Sequence, residues 1–274
     1  MRLHGKVAIV TGAPGVLCST MCESLLLAGA KVALLDRRED AALELQKQFA
    51  EKGLNQTLVC AVDVLDRASL EAAREQILKQ WGRIDILVNG AGGNHPKGTC
   101  SAEQMTPETP MDQTFFGLDL SGFEFVNRLN FIGSLLPAQV FCEAMLKEGG
   151  SVINISSMAA TQPMTKVAAY AAAKAAVDNF TRWLATHLAP MGIRVNAIAP
   201  GFFLTEQNRF LMLEADGKTL TPRGHKVLAK TPMRRFGEAK DLCGALTYLC
   251  SDEASFVTGV IIPVDGGFLA YSGV

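Results

Sequence analysis

Short runs of β-branched and other apolar residues recur at 7–10, 31–35, 57–62, 84–89, 151–156, 194–199 and 260–264. They are apolar almost throughout instead of alternating with polar residues, which is the pattern of strands buried on both faces. Between them, 17–28, 39–51, 68–81, 122–146, 167–188 and 239–249 carry the composition or 3.6-residue periodicity of helices. This alternation predicts a seven-stranded parallel sheet with helices on both faces, a doubly wound α/β fold. Two segments stand outside it: 93–119, rich in Thr, Pro and Gly, and 202–231, polar and punctuated by Gly217 and Pro222. Connections of this length in a compact domain usually carry function. The first is read as an insertion bordering a substrate and the second as a lid.

Composition narrows the possibilities. A chain of 274 residues that is 49% hydrophobic can bury a sizeable core, and a single domain over 1–274 is expected. Its 26 basic and 27 acidic residues leave a net charge of -1, without the electrostatic footprint of a nucleic-acid binder. The seven cysteines, at 18, 22, 60, 100, 142, 243 and 250, are scattered without CxxC spacing, which argues against a disulfide framework or a metal site. No long apolar segment reads as a membrane span, and the N-terminus becomes strand-like before a signal peptide could form. The expectation is a cytoplasmic protein whose partners are small molecules and copies of itself.

The strand ends carry the candidate chemistry. After the first strand, Thr11-Gly12-Ala13-Pro14-Gly15-Val16-Leu17-Cys18 leads into a helix, where a dinucleotide pyrophosphate could rest on the helix N-terminus. A Gly-Pro-Gly cluster is equally an ordinary turn. Asp36 closes the second strand, where a carboxylate can accept hydrogen bonds from a ribose and repel a 2′-phosphate, favouring NAD. Arg37 and Arg38 beside it leave NADP open. Asp63, with Val64 after it, and Asn89-Gly90-Ala91-Gly92 lie at the next strand ends, facing the same crevice.

Tyr170 and Lys174 stand four apart in an Ala-rich helix and so share one face. An ammonium beside a phenol is expected to lower the phenol's pKa towards neutrality, suiting Tyr170 to general acid/base work. Ser157 could donate to a carbonyl oxygen gaining charge, and Asn130 could relay protons through water. Asn130, Ser157, Tyr170 and Lys174 in this order resemble the short-chain dehydrogenase/reductase family, as do Thr11 to Cys18, Asn89 to Gly92, Pro200-Gly201 with Thr205, and Val264-Asp265-Gly266-Gly267. The resemblance implies a Rossmann fold and a nicotinamide cofactor held by the Gly12–Leu17 turn, Asp36, Arg37, Asp63, Val64, Asn89, Gly90, Ala91, Tyr170 and Lys174. Pro200, Gly201, Phe203 and Thr205 would face the nicotinamide end. It also implies pairing into dimers or tetramers through the helices at 122–146 and 167–188 and the C-terminal FLAYSGV. The sequence departs from the family pattern at Val16 and Cys18, where the second and third motif glycines fall, and at Gly90, which replaces an Asn. A locally shifted loop is the expected outcome.

The strings GGNHPKGT and PGFFLTEQNRF resemble a branch of that family, the D-mannonate oxidoreductases or fructuronate reductases. That resemblance implies a sugar-acid substrate. Asn94, His95, Lys97, Gln162, Asn208 and Arg209 are the candidate ligands, with Arg209 first for the carboxylate because a guanidinium meets it bidentately. A reductase of another polar ketone or polyol, or a non-catalytic dinucleotide binder, remains open at this stage. His95 before Pro96 reads equally as a residue shaping a turn.

Overall fold

The computed structural model describes residues 2–205 and 209–273. Seven parallel strands form one sheet: β1 (Val7–Thr11), β2 (Lys31–Asp36), β3 (Thr57–Ala61), β4 (Ile86–Asn89), β5 (Gly150–Ile155), β6 (Ile193–Pro200) and β7 (Ile261–Val264). Their order is β3-β2-β1-β4-β5-β6-β7. The chain direction across the sheet therefore reverses between β1 and β4, which opens a crevice at the carboxyl ends of those two strands.

Alternate residues of each strand feed two cores. Ala8 and Val10 pack with Met21, Leu25, Leu246 and Leu249 on one face. Val7 and Ile9 pack with Leu70, Ile77, Phe141 and Leu184 on the other. Helices α1 (Val16–Leu27), α2 (Glu39–Glu51) and α9 (Cys243–Cys250) cover the first face; α3 (Arg67–Trp81), α5 (Gly133–Cys142) and α6 (Ala168–Leu188) cover the second. Asn89 and Asn154 are paired in the β4–β5 register, and Asn89 Nδ2 donates to Asn154 Oδ1 at 2.8 Å. Asn154 in turn donates to Thr181 Oγ1 on α6 at 2.9 Å, so a buried polar chain crosses from sheet to helix.

Several expected boundaries move. The helix expected over 122–146 is divided into α4 (Leu120–Asn127), a π turn (Arg128–Ile132), α5 and a short 3-10 turn (Glu143–Met145). At the break the N–H of Gly133 donates to the carbonyl of Arg128, one residue further back than in an α-helix. Asn130 Nδ2 donates to the Val126 carbonyl at 2.8 Å and Ser134 Oγ to the Asn130 carbonyl at 2.9 Å, so side chains support the displaced ladder. Pro137, within α5, has no N–H to extend that ladder.

The segment expected over 239–249 begins as a 3-10 turn (Ala239–Leu242) before α9, and β4 and β7 each start later than expected. The 202–231 segment contains two helices that periodicity did not reveal, α7 (Arg209–Met212) and α8 (Pro222–Lys230). Thr221 caps α8 by accepting from the Gly224 N–H, and Pro222 occupies its first turn, so the Thr-Pro pair was the available signal. All seven cysteines are free thiols. Among the described residues no helix is long and apolar enough to cross a membrane, and no group of three His, Cys, Asp or Glu could hold a metal ion.

Candidate active site

The crevice is framed first by the turn after β1. Gly15 N–H donates to the Gly12 carbonyl at 2.9 Å, and Gly12 adopts φ 68, a left-handed conformation. A Cβ at Gly12 would stand 3.0 Å from Ala91 Cα, so only glycine lets this turn approach the loop after β4. Thr11 ties the two strand ends: its Oγ1 accepts from the N–H groups of Gly90 and Ala91, each at 3.1 Å. Helix α1 starts from Gly15 with no side-chain cap and no acidic residue in its first turn. Its leading N–H groups are therefore free to meet an anion. Val16 occupies the first helical position with 43% of its surface exposed, and Pro14 and Leu17 are half-buried on either side.

Asp36 stands at the carboxyl end of β2 and is paired with Arg38, whose backbone N–H and Nε donate to Oδ1 at 2.9 and 3.3 Å. Arg38, and not the exposed Arg37, is the arginine that meets this carboxylate. Asp63 lies two residues beyond the end of β3 and is exposed, its Oδ1 accepting from Leu65 N–H at 2.9 Å, while Val64 is buried against Gly133. Gly201 N–H donates to Val264 at 2.9 Å, after Pro200 closes β6. Phe203 is buried against Gly237, and the Thr205 carbonyl accepts from Arg209 N–H at 2.8 Å. These groups fit a dinucleotide: an uncapped helix start, a glycine turn without room for a Cβ, and an acidic strand end.

The candidate acid/base groups gather at the end of β5 and the start of α6. Lys174 is 4% exposed, and its Nζ donates to the Ile155 carbonyl at 2.7 Å while lying 5.6 Å from the centre of the Tyr170 ring. Ser157, buried after β5, accepts from Ala159 N–H at 3.1 Å and hydrogen-bonds the Tyr170 side chain. Asn130 reaches the same place. Its Nδ2 donates to the Gly93 carbonyl at 2.7 Å and its Oδ1 accepts from Gly93 N–H at 3.1 Å. Both amide hydrogens are thus committed, to Gly93 and Val126, leaving acceptor capacity alone for any relay.

Burial sets the proton affinities here. Desolvation draws the Lys174 ammonium down from 10.5 to about 8, against the raising influence of Cys18 and Asp178. The Tyr170 phenol is raised above 10.0, because burial outweighs the hydrogen bond from Ser157. The lowering expected from Lys174 does not arise in the protein alone. Asp178, also raised by burial, accepts a hydrogen bond from Ser156 next to Ser157, a supporting contact that no sequence spacing announced.

The proposed substrate ligands are dispersed by comparison. His95 Nδ1 accepts from Lys97 N–H at 3.2 Å and the ring packs edge-on to Phe125, so His95 shapes the turn before Pro96. Asn94 and Lys97 are exposed, Asn94 donating to Thr99 Oγ1 at 3.0 Å. Gln162 is exposed on the loop before α6. The Arg209 guanidinium donates to the Gly217 carbonyl at 3.2 Å, folding the 209–217 segment on itself. Asn208 lies outside the described residues. A contact that spacing could not reveal joins the two unusual segments: Lys226 of α8 meets Glu103 at 3.1 Å. Cys100 N–H also donates to the Lys166 carbonyl at 2.8 Å, tying the 93–119 segment to the loop before Tyr170. A cavity of about 360 Å³ lies beside this region, between Phe203, Met233 and Gly266, apart from the acid/base cluster.

Known proteins are similar to this one along the whole chain. An uncharacterized oxidoreductase of Bacillus subtilis, UxuB, is 51% identical over 275 residues, which span 100% of this chain and 98% of that protein. A crystal structure of a provisionally named D-mannonate oxidoreductase from Haemophilus influenzae, with bound NAD, is 47% identical with a TM-score of 0.95, covering 100% of this chain and 98% of its own. A gluconate 5-dehydrogenase from Burkholderia cenocepacia, in complex with NADP and tartrate, is 31% identical with a TM-score of 0.83 over 98% and 97% of the two chains. The family model described as Enoyl-(Acyl carrier protein) reductase matches residues 17–269. With this fold, this crevice and these relatives, the chain belongs to the short-chain dehydrogenase/reductase family of NAD(P)-dependent oxidoreductases that act on alcohols and ketones.

Proposed function

We propose that this protein interconverts a sugar-acid ketone and its alcohol, D-fructuronate and D-mannonate, with NAD as the preferred cofactor. One arrangement carries the reading: Ser157 hydrogen-bonded to Tyr170, with the buried Lys174 ammonium against the same ring. The likeness to the Haemophilus influenzae protein supports the choice of substrate and of NAD. Asp36, oriented by Arg38, suits an adenosine ribose, and the open start of α1 at Gly15 suits a pyrophosphate. The bound nicotinamide supplies or takes the hydride.

In the reducing direction Ser157 donates a hydrogen bond to the carbonyl oxygen as charge builds on it. Tyr170 then delivers its proton to that oxygen, and its raised pKa keeps the phenol protonated for the purpose at neutral pH. Lys174 holds the ring in place and is the nearby donor from which the tyrosine recovers a proton. Asn130 fixes Gly93, and with it the loop after β4 that borders Lys174.

The 93–119 and 209–231 segments form the substrate-side wall, joined through Glu103 and Lys226. Lys97 and Arg209 are the cations assigned to the carboxylate. Self-association belongs to the same reading and is supported by exposed Phe125 and Trp183 on the helices expected to pair. The test is steady-state NADH oxidation with fructuronate and with its uncharged keto-sugar analogue. Recognition of the carboxylate should favour fructuronate in kcat/KM by about ten- to a hundredfold, the worth of one or two charge-assisted hydrogen bonds. Equal rates on the two would replace the sugar acid with an uncharged polar ketone.

A further inference from the structure

Cys18 and Gly90 both depart from the family pattern, and in space they meet. Cys18 is in the first turn of α1, 5% exposed, with its Sγ 3.7 Å from the Gly90 carbonyl. A Cβ at Gly90 would fall 2.4 Å from that sulfur and 2.8 Å from the Thr11 carbonyl. No real side chain tolerates such contacts, and the Gly90 backbone is not left-handed, so space and not conformation requires glycine here. The sulfur fills the notch that Gly90 leaves. Burial pushes the Cys18 thiol up to about 12, so the group is protonated and serves as a packing atom.

The contact lies on a strip that runs through the whole site. Two residues beyond Gly90, a Cβ at Gly92 would stand 2.6 Å from Asn130 Oδ1 and 3.4 Å from Lys174 Nζ. Gly93 is then clamped by both polar atoms of the Asn130 amide. The first turn of α1 is thus keyed at one end of the 89–93 strip, and the acid/base groups rest against the other. We infer that Cys18 and Gly90 are an interlocking pair, with Cys18 a positioning residue that sets the cofactor-binding turn against the strip bearing on Lys174. This rests on the dinucleotide reading above but not on the identity of the substrate.

The experiment is a double-mutant cycle read by NADH binding, followed by fluorescence with thermal unfolding in parallel. Gly90→Ala should weaken NADH affinity by about tenfold or more, as expected of an overpacked contact. Cys18→Ala should loosen it about threefold, and Cys18→Ser, which keeps an atom in the notch, should match the parent. In Cys18→Ala/Gly90→Ala the missing sulfur relieves the closer of the two clashes and leaves the 2.8 Å approach to the Thr11 carbonyl, so the combined loss of affinity should be clearly smaller than the product of the two single losses. The basic limb of the pH–rate profile for fructuronate reduction should shift in Gly90→Ala and return part of the way in the double variant. Additive losses in the double variant, or a lowered unfolding temperature with unchanged NADH affinity, overturn the proposal. If Gly90→Ala does not fold, unchanged NADH affinity in Cys18→Ala overturns it equally. Failure of the parent protein to bind NADH or NADPH would instead overturn the cofactor reading, before any variant is made.

Discussion

Lys174 allows the acid/base site to report on itself through stability. Its ammonium is almost fully buried, and desolvation draws its pKa from 10.5 to about 8. Between those two values the unfolded chain holds a proton that the folded chain has lost, so stability rises with pH across that window. Below about 8 both states are protonated, and the full cost of burying the charge remains. Integrated from pH ~7 to ~9.5, the displacement is worth about 2 kcal/mol. Lys174→Met keeps an apolar stem and removes the titrating group, while giving up the 2.7 Å hydrogen bond to the Ile155 carbonyl. Tyr170, whose proton affinity Lys174 does not set, cancels in the difference, and the Cys18 thiol, at about 12, stays protonated in the folded state across this window. Urea unfolding at the two pH values should show the parent gaining about 2 kcal/mol relative to Lys174→Met as pH rises. Identical pH dependence of the two proteins would refute the account of a desolvated ammonium.

Three further perturbations address separate parts of the site. Tyr170→Phe should lower kcat by about two to four orders of magnitude while leaving NADH affinity within about twofold, since only the exchangeable proton is removed; unchanged turnover would rule out Tyr170 as the proton donor. Glu103→Gln removes one half of the contact between the insertion and α8, so KM for the ketone should rise about two- to fivefold with kcat nearly constant. High salt should raise KM more in the parent than in the variant, where only the substrate's own charge contacts remain to be screened. Lys166 is a non-glycine residue at φ 74. Lys166→Gly should therefore raise stability in urea by up to about 1 kcal/mol, and a loss of stability would argue that its side chain outweighs the backbone strain.

The fold was legible because its strands are buried on both faces, and such strands announce themselves as continuous apolar runs. Val7 to Val10 and Val32 to Leu35 are clear cases, and the Tyr170–Lys174 spacing was equally plain once a helix was assigned. The π turn was hidden because Arg128 to Ile132 sits in a mostly apolar stretch whose periodicity continues on both sides; a one-residue shift in a hydrogen-bond ladder leaves no mark in hydrophobicity. Helix α8 was missed for the opposite reason, since it is short and polar and declares itself only through its Thr221-Pro222 start. The proton affinity of Tyr170 was misjudged because sequence spacing reveals a neighbouring charge but not the depth of burial, and here burial dominates. Cys18 looked like a defect in a motif because the notch it fills belongs to Gly90, 72 positions away.

The Asn89–Asn154 bridge between β4 and β5 has a consequence for how the protein reaches its working form. Sliding either strand by one residue would turn one amide to the opposite side of the sheet and break the hydrogen bond between them. A buried donor left without its partner costs about 1–3 kcal/mol, which disfavours the misaligned pairing relative to the native one. Since β4 leads into Gly90 and β5 leads into Ser157, the register that this bond helps to fix brings the loop proposed to receive the dinucleotide level with the strand end proposed to bear the acid/base groups.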